Sequence, residues 1–377
     1  MKVRQMIITI LVVAVTSSCT TIAEPPNSLN RQRISTGVLL DASPLAAGIE
    51  LPDLSRVDVL ELSPLMITFL DRWVDRNQSD YFKLRSLVYA VMGDGTFKLV
   101  YDDSTRTAQE TFLDQRGNCL SFTSMFVAMS RYLGLEANFQ EVIVPPDWSV
   151  KGNTFILSKH VNVHVKMSAA DADRHQVVDF NMYDFRSSYD THIVSDSRGR
   201  AHYFNNIGVE RMLEGDTPMA LANFRESLRE DRTFSPAWVN LGILYSREGY
   251  PQYAEAANLN ALEVDGADLV AMNNLAGLYE QQGRSELSAQ YQLRIESHRM
   301  RNPYYRYQMA RTAFEEGEYT AAIDHLKFAI RKNRNDDSFY FLMSLSYLNS
   351  GDKESAQRRN RRGTLNHALE NGIESHP

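Results

Sequence analysis

Gly215, Gly249, Gly283, Gly317 and Gly351 stand 34 residues apart, one after another. A fixed period in this range restricts a chain to stacked copies of one supersecondary unit. Other positions keep the same step. Seven residues before each glycine come Gly208, Gly242, Ala276, Ala310 and Ser344, all small, and one place earlier Ile207, Leu241, Leu275, Met309 and Met343, all apolar. Five residues after each glycine come Ala220, Ala254, Ser288, Ala322 and Ala356. Two antiparallel helices need this alternation: small residues where backbones approach, large apolar ones around them, and a glycine where the first helix ends.

The period, with segments such as Trp238-Val239-Asn240-Leu241-Gly242-Ile243-Leu244-Tyr245, resembles the tetratricopeptide repeat family. The resemblance covers roughly residues 203–363 and implies a repeat domain over 201–363, followed by a tail over 364–377. Arg211, Asn258 and Gln292 depart from the family's large apolar or aromatic residues, and the usual proline near the end of each unit is missing. What the resemblance implies is an all-α solenoid whose concave face takes a protein or peptide partner. Tyr245, Tyr279, Tyr304, Tyr305 and Tyr347 are assigned to packing rather than to that face.

The chain has 377 residues, enough for two or three domains, so the array leaves room for another fold before it. At the start, Lys2 and Arg4 precede an apolar stretch from Met6 to Val15, the layout of a secretory signal. The stretch is too short to span a bilayer, which takes about 20 apolar residues. Thr16, Ser17 and Ser18 then lead into Cys19, which resembles the lipobox of bacterial lipoproteins, with Thr16 where that family has an aliphatic residue. The resemblance implies a signal peptide over 1–18, lipidation of Cys19, and a membrane-anchored protein of the bacterial cell envelope. The absence of Asp after Cys19 fits the outer membrane, facing the periplasm. Ordinary cleavage and free secretion is the alternative. Residues 19–50, with Pro25, Pro26 and scattered Ser, read as a tether.

Two counts matter here. The chain has only two cysteines, so acylation of Cys19 leaves Cys119 as a lone thiol in an oxidising compartment, which favours a use for it. Forty Lys plus Arg against 47 Asp plus Glu give a net charge of −7, which offers no field for a polyphosphate, so no nucleic-acid partner is expected.

Residues 51–200 carry the chemistry. Leu60 to Trp73 and Tyr81 to Val91 have helical spacing of apolar residues, Thr96 to Tyr101 reads as a short strand, and Thr107 to Phe112 as a short helix. Cys119 then opens an apolar-periodic run, Phe122, Phe126, Met129 and Leu133, ended by Gly134. A sulfur at a helix start is close to unpaired N–H groups and the positive end of the dipole, which favour a thiolate. Lys159 to Lys166 is a strand pattern with the valines on one face and His160, Asn162 and His164 on the other. Two histidines four apart on a strand lie about 13 Å from one another and cannot chelate one ion. With no HExxH and no CxxC, neither a metal nor another cofactor is expected. A further strand, Gln176 to Phe180, carries Asp179.

Gly117-Asn118-Cys119 opening a helix into Arg131-Tyr132-Leu133-Gly134-Leu135, then a His-x-x-x-x-Val strand, then Val-Val-Asp, resembles the transglutaminase-like branch of the papain-like cysteine fold. The match spans Thr107 to Tyr183, and Asn162 stands where the family often has an aromatic residue. It implies an α+β papain/transglutaminase-like domain over 51–200, with Cys119 as nucleophile, His160 as base and Asp179 as the acid orienting the imidazole. The residues alone support the same set, because a thiol needs a base and an imidazole needs a third group to fix its tautomer. His164 is the competing base and Asp184 the alternative acid; His175, His192 and His202 lie in polar stretches and are expected to be solvated. Two functions stay open. One is an envelope-anchored amide hydrolase or acyl transferase acting on a protein or peptide recruited by the repeats. The other is a catalytically degenerate, membrane-tethered interaction scaffold.

Overall fold

The computed structural model describes residues 34–41, 43–93, 97, 99–143, 159–167, 175–180 and 189–370, the last nine of these and residue 159 as backbone only. Among them no helix is long and apolar enough to cross a membrane. The small α+β domain is built around one helix. Helices α2 (Pro64–Trp73) and α3 (Asp80–Met92) come first, each opened by a serine N-cap. A two-residue strand β1 (Val100–Tyr101) pairs in parallel with β2 (Arg116–Gly117), and α4 (Ala108–Asp114) lies between them, closed at its start by a Thr107–Glu110 capping box. Helix α5 (Cys119–Tyr132) follows and is the centre of the domain: every residue from Leu120 to Ser130 is buried. A helix apolar on all sides must be covered on all sides.

The cover on one side is a four-stranded antiparallel sheet in the order β5-β4-β3-β6. Its strands are β3 (Glu136–Ile143), β4 (Lys159–Lys166), β5 (His175–Val178) and β6 (Thr191–Val194). Register pairs Phe139 with Val163, Gln140 with Asn162, and Val142 with His160; on the outer side Val163 pairs with Val178. The valines of β4 enter the core with Met125, Phe126 and Met129 of α5. Central strand β3 does not follow from the sequence pattern, because Gln140 and Glu141 break the alternation of Ala137, Phe139 and Val142.

Helix α6 (Asp196–Glu214) belongs to both regions. Gly199 lets it lie against the sheet: a Cβ there would sit 2.7 Å from the Phe139 ring. Tyr203 and Phe204 complete the sheet domain's core, whereas Ala201 and Met212 belong to the core of the array. A boundary at residue 200 therefore falls inside a helix that serves two cores. The array continues as α7 (Thr217–Glu230), α8 (Ser235–Arg247), α9 (Pro251–Val264), α10 (Leu269–Gln281), α11 (Ser285–Arg301), α12 (Pro303–Glu315), α13 (Tyr319–Lys332), α14 (Asp337–Asn349) and α15 (Lys353–Glu370). These are five antiparallel pairs, and α15 carries the helix into the expected tail. The periodic glycines end or follow the first helix of each pair with φ between 70° and 93°, the left-handed conformation that glycine adopts without strain. Where a small residue is glycine, a side chain of the facing helix lies against its backbone: a Cβ on Gly208 would lie 2.6 Å from the Phe224 ring, and one on Gly242 2.4 Å from the Asn258 amide.

The expected tether over 19–50 is corrected from Ile34 onward. Helix α1 (Thr36–Leu40) and a 3-10 turn over Pro44–Ala46 pack on the array, with Leu39, Leu40 and Leu45 buried beside Leu221, Phe224, Tyr245 and Ala257. The Tyr245 hydroxyl donates to the carbonyl of Leu39 at 2.7 Å. The three buried leucines offset part of the conformational entropy lost in ordering this segment.

Candidate active site

The turn into α5 is assembled residue by residue. Gln115 takes a left-handed conformation, φ 54°, after α4. At Gly117 any Cβ would sit 2.6 Å from the Ser121 Cβ, so the chain can close this turn only with glycine. Asn118 is the N-cap: its Oδ1 accepts the Ser121 N–H at 3.0 Å, and its Nδ2 donates to the Thr105 hydroxyl at 2.8 Å. Cys119 is thereby fixed as the first residue of the helix, partly buried and in no disulfide. The Thr123 hydroxyl donates to the Val161 carbonyl at 3.1 Å, which ties the helix to β4 one residue past His160.

His160 meets both of its expected partners. Its Nε2 lies 2.8 and 2.7 Å from the two carboxylate oxygens of Asp179, and Cys119 is near enough to the ring to raise its pKa. With Nε2 committed to the acid, Nδ1 is the atom left for the sulfur. Burial works against a charge on this ring, but its interactions with Asp179 and Cys119 outweigh it and push its pKa up to about 10. An imidazole set between a carboxylate and a sulfur is the arrangement that a cysteine nucleophile requires of its base. Asn162 has a part that sequence reasoning missed: its Nδ2 donates to Asp179 Oδ2 at 2.9 Å, giving the carboxylate a second donor. The available signal was the strand's alternation, which puts Asn162 on the face of His160.

The remaining histidines separate by location. His164 stacks on His175 with ring centroids 5.2 Å apart, and burial, with the His175 charge second, lowers its pKa. His192 is exposed. His202 is not solvated as expected: it is buried, with Nε2 2.7 Å from Glu141 Oε1, because α6 lies on the sheet. Asp184 and Cys19 lie outside the described residues. Among the described residues no group of three or more His, Cys, Asp or Glu is placed to hold a metal ion. Farther along the chain, α8, α9 and α10 line a cleft of about 310 Å³ edged by Arg247, Asn258, Asn273, Asn274 and Gln281.

Sheet, cysteine-bearing helix and helix pairs define a two-part chain, a small α+β domain followed by a solenoid of stacked helix pairs. Residues 67–180 match the family model of the Transglutaminase-like superfamily. Among solved structures, the helical region is similar to MamA, at 16% identity over 47% of this chain and 97% of that one, with a TM-score of 0.25. It is also similar to PilF of Pseudomonas aeruginosa, at 18% identity over 46% and 78%, with a TM-score of 0.27. A third is YrrB, described as a TPR protein with an unusual peptide-binding site, at 15% identity over 47% and 92%, with a TM-score of 0.25. None of the curated proteins matches the chain.

Proposed function

We propose that this protein is a cysteine-dependent amide hydrolase or acyl transferase, anchored in the bacterial cell envelope, that acts on a protein or peptide brought to it by the repeats. The observation that carries this reading is the His160 ring bridging Cys119 and Asp179. In the reaction the Cys119 sulfur attacks an amide carbonyl, and the backbone N–H of Cys119 at the start of α5 donates a hydrogen bond to the developing oxyanion. The C–N bond breaks as the amine leaves with the proton from His160, and a thioester remains on Cys119. His160 then takes a proton from the second nucleophile as it attacks the thioester. Water releases an acid; an amine releases a new amide. Asp179 holds the imidazole through both steps, and Asn162 holds Asp179.

The cleft edged by asparagines offers hydrogen-bond partners to an extended peptide backbone, which suits the array to recruitment. Cys19, preceded by a short apolar stretch, supports a lipid anchor, with the outer membrane's periplasmic face as the location. Turnover of glutamine-containing peptides and simple amides, compared among the unaltered protein, Cys119→Ala and His160→Ala, tests the chemistry. Both variants should lose all turnover, and a Cys119→Ala protein that still turns over sinks the reading. Intact mass of the envelope-extracted protein tests the anchor, which fails if the chain keeps Met1 or begins at an unmodified residue.

A further inference from the structure

The site and the array are joined by one run of hydrogen bonds. Glu210 lies near the end of α6, the first helix of the array, and its Oε1 accepts the backbone N–H of Thr105 at 2.8 Å, across 105 residues of sequence. Thr105 is buried, and its hydroxyl oxygen accepts from Asn118 Nδ2 at 2.8 Å. Asn118 caps α5, and the next residue is Cys119. A parallel tie runs from the Arg106 N–H to the Ser121 hydroxyl at 2.9 Å, in the first turn of the same helix. The loop before α4 is thus held on one side by a carboxylate from the array and on the other by the turn that carries the sulfur.

The energetics of this run are asymmetric. Deleting Glu210 would leave the Thr105 N–H without this acceptor in a buried place, and a group in that position costs more than the bond it made. The loop relieves that cost by moving, and the Thr105 hydroxyl moves with it. The N-cap then loses the partner that fixes its amide. A nucleophile displaced by a fraction of an ångström from its base loses rate steeply.

We propose that Glu210 is a positioning residue for Cys119, through which the first repeat sets the alignment of the sulfur with His160. The proposal rests on the reading of Cys119 as the nucleophile. It is tested on the full chain by following alkylation of Cys119 with iodoacetamide, site-resolved by peptide mass, between about pH 5 and pH 9. Glu210→Ala should slow the reaction about tenfold near neutral pH and speed hydrogen exchange at the Thr105 amide. Glu210→Gln keeps a carbonyl oxygen for Thr105 and should restore the rate to within about twofold. The sign separates alignment from charge, because removing a nearby negative charge alone favours the thiolate and accelerates alkylation. Thr105→Val keeps the shape, removes the hydroxyl and should slow the reaction as Glu210→Ala does, even where the latter fails to fold. A profile unchanged in Thr105→Val, or a Glu210→Gln protein as slow as Glu210→Ala, overturns the proposal. An unaltered protein whose rate ignores His160→Ala overturns the nucleophile reading, and the proposal falls with it.

Discussion

The sheet domain and the repeat array both bury polar side chains, but the array satisfies several of them within one turn of their own helix, beside ties between helices such as Ser227 to the Ala201 carbonyl and Ser235 to Asp268. In the array Asn223 donates to the Met219 carbonyl, Asn258 to Ala254, Asn260 to Ala256 and Ser346 to Leu342, each to its own helix one turn back. In the sheet domain His160 reaches Asp179, Thr123 reaches Val161, and Asn118 reaches Thr105, each across elements. A unit that satisfies itself locally can be stacked at a fixed period. A unit that satisfies itself only through its neighbours exists once, when the whole domain has closed, and holds its groups in one geometry. That difference suits the first region to presenting a surface and the second to aligning a nucleophile.

The sharpest way to break the contrast is at Asp179. Asp179→Asn turns an acceptor toward His160 into a group that also donates, so the imidazole loses its tautomer, and turnover should fall about 10²- to 10⁴-fold in steady-state assays. Partner binding by the repeats should not change; a parallel loss of binding would show that the array reads the site's geometry too. The same pair predicts a pH dependence. His160 is raised from an ordinary value near 6.5 to about 10, so its contribution to stability is complete below about pH 6.5 and fades as pH rises through about 10. Urea unfolding midpoints should therefore decline over that window in the unaltered protein and lose this component in Asp179→Asn.

The second prediction concerns the segment before the sheet domain. Leu39 is fully buried in the array's core, so Leu39→Ala should cost about 3 kcal/mol in denaturant unfolding. Tyr245→Phe, which removes the bond to the Leu39 carbonyl, should cost about 1 kcal/mol. If Leu39→Ala is silent, residues 34–46 are a loose strap, and the array is a free surface up to its second pair of helices.

These examples also mark what a single sequence can carry. The array was legible because its stabilising contacts repeat in register, so small and apolar positions recur at a constant step. Cys119, His160 and Asp179 were legible one at a time, since each stands at the start or end of an element whose pattern is clear. Strand β3 was not, because Gln140 and Glu141 break its alternation, and Glu141 is polar for a reason that lies on another element: it holds His202. His202 was misread for the same reason, its partner being 61 residues away. Leu39, Leu40 and Leu45 sit among Ser, Thr, Gly and Pro, and nothing local says that a groove of the array receives them.

The smallest effects test whether the array's glycines do two distinct jobs. Gly208 is a contact glycine: a Cβ would lie 2.6 Å from the ring of fully buried Phe224. Gly208→Ala should cost about 2 kcal/mol, as overpacking does. Gly249 is a conformational glycine, with φ 80° and nothing within 4 Å of an added Cβ. Gly249→Ala should cost about 1 kcal/mol, the backbone penalty of an L-residue in the left-handed region, offset in part by a less flexible unfolded chain. Gly283 has φ 70° and the same open surroundings, so the double variant Gly249→Ala with Gly283→Ala should cost the sum of the two single changes. Additivity measured by thermal and urea unfolding would show that the turns act independently, as locally satisfied units must. A double variant that costs clearly more than the sum would mean that the turns are coupled through the stack, and the contrast between the two regions would narrow to one of degree.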